Sequence, residues 1–355
     1  MKVALVCFRI ETPLSRVSLY SSELTTHLME QGIDVVRLAS GPTGYSDVAY
    51  LRSTSDWNFT TKMSLRLKEF VRNEEVDLVH IIGGFPESGI LREQEVPVVY
   101  QFFGGSLYEL DRSPSLFQKL RGFGKEYRAS WIATRTIKNV DQFIVHSETA
   151  IPSLVERYSV NRSAVKVVPI ATDDLFGEFN ASDSASKGTV LVLCDSNSTE
   201  MVLRSFGGMQ LLHLEQPSVR FRILCDYSSY FTVLRTIKAE GIDSFVDCIE
   251  CRASDDFSHE CFESVGVVVP RMLLSRNRLI AEARMLGAPI VHLVSAPTED
   301  ISNCFGVDVL TLNDAANYFF DESLSKQSSS YDTKIYSWDR ALFAIVKMYS
   351  DLIEQ

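Results

Sequence analysis

Four groups of residues have types and spacings that suit chemistry. Arg271, Arg276 and Arg278 crowd the entry to a helix for which Ser275 is a candidate N-cap. Guanidinium forks beside a helix start make a cradle for a diphosphate, and the plainer alternative is a set of solvated helix charges. Cys248-Ile249-Glu250-Cys251, with His259 and Cys261, has the spacing of zinc ligands. Phe245–Cys251 reads as a strand, however, and residues three apart on a strand face opposite ways, so no metal is expected. The segment 112–138 carries Arg112, Lys119, Arg121, Lys125, Arg128, Arg135 and Lys138 against Glu126 alone. Leu116, Leu120, Phe123, Tyr127 and Trp131 recur there at helical spacing, which is the pattern of a peripheral membrane contact. The alternative is that these apolar residues form a core face, and Gly122 and Gly124 weaken a continuous helix. His80 and His146 stand at the ends of strand-like runs and read more readily as hydrogen-bonded structural groups than as bases. There is no Walker loop and no Gly-x-Gly-x-x-Gly after a strand.

The elements that must position these groups alternate. Lys2–Phe8, Ile33–Leu38, Val76–Ile82, Val96–Phe103, Gln142–His146 and Val165–Pro169 read as strands. Helical patterns over Leu19–Gln31, Thr61–Asn73, Ser115–Asn139 and Thr149–Tyr158 lie among them. Residues 177–188 are small and polar and read as a linker. The pattern then restarts, with strands over Thr189–Cys194, Arg220–Cys225, Phe245–Cys251, Val265–Val269 and Pro289–Val294. Helices over Met201–Leu214, Tyr230–Glu240, Asp256–Ser264 and Arg278–Leu286 intervene, and Trp338–Ile353 is a last helix. Strands alternating with helices imply right-handed crossovers and parallel sheets, hence an α/β chain of two Rossmann-like doubly wound domains. The expected division is 1–176, the linker 177–188, 189–335, and a terminal helical segment 336–355. Two such domains present the carboxyl ends of their sheets to a cleft, where open α/β sheets take small molecules, often with phosphate.

The chain has 355 residues, enough for two cores without disulfide staples. Its formal net charge of −11 disfavours nucleic-acid binding, which rests on neutralising phosphates, so no nucleic-acid partner is expected. Seven scattered cysteines, and a strand-like run that starts at Lys2, suggest reduced thiols in the cytoplasm. The basic segment adds an expected position at the inner face of the membrane.

Several runs also match a known pattern in order. They are Val76-Asp77-Leu78-Val79-His80, the run Val140-Asp141 to His146-Ser147, and Lys166-Val167-Val168-Pro169 with Asp173 and Phe176. Ala281-Glu282-Ala283-Arg284-Met285-Leu286-Gly287-Ala288-Pro289-Ile290-Val291 follows, then Glu299, Gly306 and Tyr336-Ser337-Trp338 with Tyr349. The ordered set resembles the family-4 glycosyltransferases, retaining enzymes of the two-domain GT-B fold whose terminal helix crosses back to the first domain. The resemblance implies transfer of a sugar from a nucleotide-diphosphate donor to a glycan, lipid-linked or small-molecule acceptor, with no cofactor and no metal. It assigns the nucleotide ribose to Glu282 and the donor side to Arg271, Ser275, Arg276, Arg278 and Glu299. It puts the acceptor near Gly104, Gly105 and Ser106, with His80 and His146 on that side.

This chain departs from the pattern at four places. Leu274 stands where the family has Glu, and Asp195 and Glu200 stand where it has Arg and Lys. Phe103 precedes Gly104-Gly105 where a His is common, and Arg9-Ile10-Glu11-Thr12-Pro13 replaces a glycine-rich first loop. An acidic pair set against a diphosphate costs on the order of 4 kcal/mol per misplaced charge at ~4 Å. The departures therefore support a second expectation: a catalytically inactive GT-B subunit that binds an acceptor or stabilises a partner glycosyltransferase. Another GT-B class, such as a nucleotide-sugar epimerase, is a third.

Overall fold

The structure is a computed structural model that describes residues 1–7, 17–39, 48–50, 61–83, 93–102, 135–146, 148, 151–157, 159–172, 188–195, 198–252, 254–270, 277–286, 288–293, 307–309, 319 and 337–354. The chain divides into two compact units. The first takes in the opening strand, Val17–Ala171 and Trp338–Gln355, and the second takes in Thr172–Ser337.

The first unit is built on a seven-stranded sheet. Its strands are β1 (Lys2–Cys7), β2 (Asp34–Ala39), β3 (Val48–Tyr50), β4 (Leu78–Gly83), β5 (Val98–Phe102), β6 (Gln142–Val145) and β7 (Val165–Val167), in the order β3-β2-β1-β4-β5-β6-β7. Every pairing is parallel. Near-continuous apolar runs such as Lys2–Cys7 and Val98–Phe102 form these strands because a parallel sheet is covered on both faces. On one face Ala4, Val6, Val79, Ile81, Tyr100 and Phe143 pack with Leu67 and Val71 of α2 (Thr61–Asn73). On the other lie α1 (Val17–Glu30) and the final helix, α8 (Trp338–Ile353). The Cys7 thiol meets Ser21 of α1 at 3.0 Å, and Trp338 Nε1 donates to Glu23 Oε2 at 3.1 Å. The Trp338 ring sits 5.0 Å from that of Tyr20. The last helix thus docks on the first unit, as the resemblance implies.

The second unit holds a six-stranded parallel sheet of β8 (Thr189–Cys194), β9 (Arg220–Cys225), β10 (Val246–Glu250), β11 (Gly266–Pro270), β12 (Ile290–Leu293) and β13 (Val307–Val309), ordered β10-β9-β8-β11-β12-β13. Its helices are α3 (Thr199–Arg204), α4 (Phe206–Glu215), α5 (Tyr227–Glu240), α6 (Ser254–Phe262) and α7 (Asn277–Met285). Gly188 leads into β8 at φ +124°, and a Cβ there would meet the Ser218 carbonyl oxygen at 2.5 Å. Gly266 opens β11 bare because the Phe319 ring packs against that spot.

Several expectations change. The short strands β3 and β13 have too few residues to show a period. The single helix expected over Met201–Leu214 breaks at Ser205, whose hydroxyl donates to Val202 O at 2.6 Å. α5 begins at Tyr227, three residues before the expected start, because the Asp226 side chain accepts from Ser229 N and caps it. Ser153–Arg157 forms a π-turn where a short α-helix was expected. Of the expected helix Ser115–Asn139, the described residues begin at Arg135, which is exposed, and Ile137 joins the first unit's core.

Candidate functional site

Each sheet has a topological switch point, where two neighbouring strands send their connections to opposite faces. In the first it lies between β1 and β4, and in the second between β8 and β11. Ligands of doubly wound sheets bind at the carboxyl ends there. In the second unit that place is bordered by the turn after β8 and by α7, which follows β11.

The turn after β8 is organised from within. Asp195 is buried, and its Oδ1 accepts from Ser198 N at 2.9 Å and from Ser198 Oγ at 2.8 Å. Asp195 N donates back to Ser198 Oγ at 2.8 Å, and Thr199 Oγ1 donates to Asp195 O at 2.7 Å. These bonds direct the chain into α3. Glu200, in the first turn of that helix, is exposed and paired with Arg204 one turn on. The acidic pair at the family's basic positions is therefore split. Asp195 is turned inward as a turn-forming group, and Glu200 is a solvated surface charge with its own partner.

On α7, Arg278 and Glu282 stand one helical turn apart. Arg278 Nε donates to Glu282 Oε1 at 2.8 Å, with 1 % and 0 % of the two side chains exposed. Leu279, Ala283 and Leu286 of the same segment join the core formed with Phe257 and Cys261 of α6. Burial, and then the Glu282 carboxylate, push the Cys261 thiol up. For these two residues the alternative of solvated helix charges does not hold. A buried ion pair is held by mutual attraction against a desolvation penalty of several kcal/mol per ion, so neither partner is readily released. Arg271, Ser275, Arg276 and Glu299 lie outside the described residues.

In the first unit, buried polar groups connect the sheet to α1 and α8. His80 is the third residue of β4, inside the strand rather than at its end, and its Nδ1 lies 2.5 Å from the Tyr349 hydroxyl of α8. Gln101 of β5 donates to Tyr20 OH at 2.8 Å and lies 3.4 Å from His146 Nε2. His146 Nδ1 is 3.0 Å from the Val168 carbonyl, which can only accept, so that nitrogen carries the proton and Nε2 is left as an acceptor. Burial lowers His80 to about 3, against a weaker opposing pull from Gln101, and lowers His146 to about 4. Burial raises the Tyr349 hydroxyl. Both histidines are neutral at pH 7, which suits structural hydrogen bonding and not the holding of an anion. The signal for this cluster was Gln101, a polar residue within the apolar run Val98–Phe102. Gly104, Gly105 and Ser106 lie outside the described residues, as does 112–134 of the basic segment.

Cys248 and Cys251 belong to different faces of their sheet. Cys248 packs beside the core that holds Cys194 and Cys225, and Cys251 lies in the core with Cys261. Among the described residues, no group of three or more His, Cys, Asp or Glu is gathered to hold a metal ion. Among them also, no helix is long and apolar enough to cross a membrane.

Residues 17–174 match the model of a family described as Glycosyltransferase Family 4. No curated protein matches the sequence. Among solved structures, sucrose-phosphate synthase from Thermosynechococcus elongatus is similar at a TM-score of 0.70 and 11 % identity, covering 100 % of this chain and 99 % of that one. A glycosyltransferase from Rickettsia africae ESF-5 is similar at 0.64 and 11 %, over 100 % and 99 %. The pneumococcal O-GlcNAc transferase GtfA, in complex with UDP and GlcNAc, is similar at 0.63 and 8 %, over 100 % and 99 %. At such identities the likeness is one of fold.

Proposed function

We propose that the chain is a GT-B glycosyltransferase, as the Glycosyltransferase Family 4 match over residues 17–174 and the fold likeness suggest, and that it moves a sugar from a nucleoside-diphosphate donor to a hydroxyl acceptor with retention at the sugar carbon. The family match, joined to two parallel doubly wound sheets that each carry a switch point, is the observation that supports this reading. The acceptor is a glycan, a lipid-linked saccharide or a small molecule. A uridine nucleotide is the first donor to try, since one fold neighbour is a complex with UDP.

In this reading the second unit holds the donor. Glu282 accepts from the ribose hydroxyls, and Arg278 acts through Glu282, to which it is bonded. Arg271, Ser275 and Arg276, which precede α7 in the sequence, are assigned to the diphosphate, and Glu299 to the donor. Gly104, Gly105 and Ser106, which follow β5 in the sequence, are assigned to the acceptor, together with His146 and His80. Catalysis is mainly positioning, plus stabilisation of the departing diphosphate by cations and a helix start, with neither metal nor cofactor. The basic segment 112–138 brings the protein to an anionic membrane surface from the cytoplasm.

Release of UDP from a panel of UDP-sugars, with calorimetric titration of nucleoside diphosphates, tests the proposal. Saturable binding, with turnover once an acceptor is supplied, is the expected result. Failure of every nucleoside diphosphate to bind at millimolar concentration refutes it. Co-sedimentation with anionic vesicles at low salt tests the membrane contact, and no binding there removes it.

A further inference from the structure

We propose that Cys225 and Cys248 form an oxidisable dithiol, a modification site that a hydroperoxide converts to a disulfide across the open edge of the second sheet. The inference is independent of the transferase reading. β9 and β10 are parallel neighbours with Cys248 opposite Ile223 and Cys225 opposite Glu250, so the two cysteines share a sheet face, offset by two residues. Their sulfurs are 3.7 Å apart. Among the described residues β10 is the outermost strand of its sheet. Cys248 is half-buried and lines an open groove of about 380 Å³ together with Arg222, Lys238 and Leu234. The other described cysteines, Cys7, Cys194, Cys225, Cys251 and Cys261, are all buried. An oxidant arriving from solvent therefore meets Cys248 before any of them.

The chemistry balances with a hydroperoxide as oxidant. The Cys248 thiolate attacks one peroxide oxygen, the O–O bond breaks, and Cys248 sulfenic acid forms as hydroxide, or the corresponding alkoxide, departs. The Cys225 sulfur then attacks the Cys248 sulfur. The S–O bond breaks, the S–S bond forms, and the Cys225 proton leaves with the hydroxyl group as water. Two electrons have passed from the thiols to the peroxide. Cys225 is the second participant because hydrogen bonds with the Cys194 and Cys248 thiols, then burial, push its pKa well up and keep it protonated until that step. The sulfurs must close from 3.7 Å to ~2.05 Å. The displacement falls on β10, which among the described residues is laddered on one side only and is easier to shift than an interior strand.

The test uses the full chain, treated with hydrogen peroxide, alkylated, and digested without reduction by trypsin and a glutamyl protease. The second enzyme cuts after Glu250 and so separates Cys248 from Cys251. The expected result is a cross-linked species joining the Cys225 and Cys248 peptides, with two of the seven thiols lost and both restored by dithiothreitol. Cys248→Ser abolishes the cross-link. Cys225→Ser leaves a sulfenic acid at Cys248 that dimedone traps. The proposal is overturned if no thiol is lost in excess peroxide, if another cysteine (Cys304 included) is oxidised first, or if wild-type Cys248 stops at the sulfenic acid. The mapping is done on wild-type protein, so it stands even if a variant folds poorly.

Discussion

The buried histidines of the first unit make its stability depend on pH in a way that can be worked out in advance. In the unfolded chain an imidazole takes up a proton near pH 6.5. In the folded chain burial holds His80 to about 3 and His146 to about 4. Both folded values lie below the unfolded one, so the stabilisation is complete above pH 6.5. It is lost as pH falls from there toward the folded values, because the unfolded state binds the protons first. Between pH 7.5 and pH 5 each histidine loses about 2 kcal/mol, the slope approaching ~1.36 kcal/mol per unit below pH 6.5, and the two together lose about 4 kcal/mol. That is a large part of the roughly 5–15 kcal/mol that a domain commands. Trp57, Trp131 and Trp338 all lie in sequence belonging to the first unit, so tryptophan fluorescence during urea unfolding reports on it. Midpoints taken at half-unit steps from pH 7.5 to pH 5 give the slope. Carboxylates and the remaining histidines form a background that the His80→Gln/His146→Gln variant measures, and the wild type should exceed that variant's slope by about two protons. His146→Gln alone should remove about half of the excess. If wild type and double variant lose stability in parallel, the two imidazoles titrate normally and the buried-cluster account is wrong.

Two further outcomes follow from the second unit. Arg278→Leu strands the Glu282 carboxylate in a dry site and should cost about 3–5 kcal/mol, read as an earlier unfolding transition, and Arg278→Leu/Glu282→Leu should recover most of it. A neutral single variant would mean that the pair is solvated. Gly188→Ala meets the Ser218 carbonyl at 2.5 Å on a backbone at φ +124°, and should destabilise by at least about 1–3 kcal/mol. An unchanged thermal midpoint would show that the chain enters β8 differently.

Much of the architecture was legible in the residues. Near-continuous apolar runs of five or six residues, separated by helical periods and glycine stops, are what a parallel sheet covered on both faces demands, and the strands from β4 to β12 follow them. The docking of the last helix was legible only through a resemblance, since composition does not say where a helix packs. The strands β3 and β13 were not legible, because Val48–Tyr50 and Val307–Val309 are isolated three-residue runs, whereas the equally short β7 sits inside the longer run Val165–Pro169.

By itself the sequence determined residue identity, alternation and spacing. Those dictated the α/β class, the one-turn separation of Arg278 and Glu282, and the opposite facing of Cys248 and Cys251. Only the tertiary structure decided what each charged or polar group meets. Asp195 turns inward to its own turn, Arg278 and Glu282 are desolvated together, His80 bonds a tyrosine 269 residues away, and Cys248 finds Cys225 on the next strand. Desolvation and long-range hydrogen bonding depend on which segments pack together, and the local pattern of a chain does not contain that information.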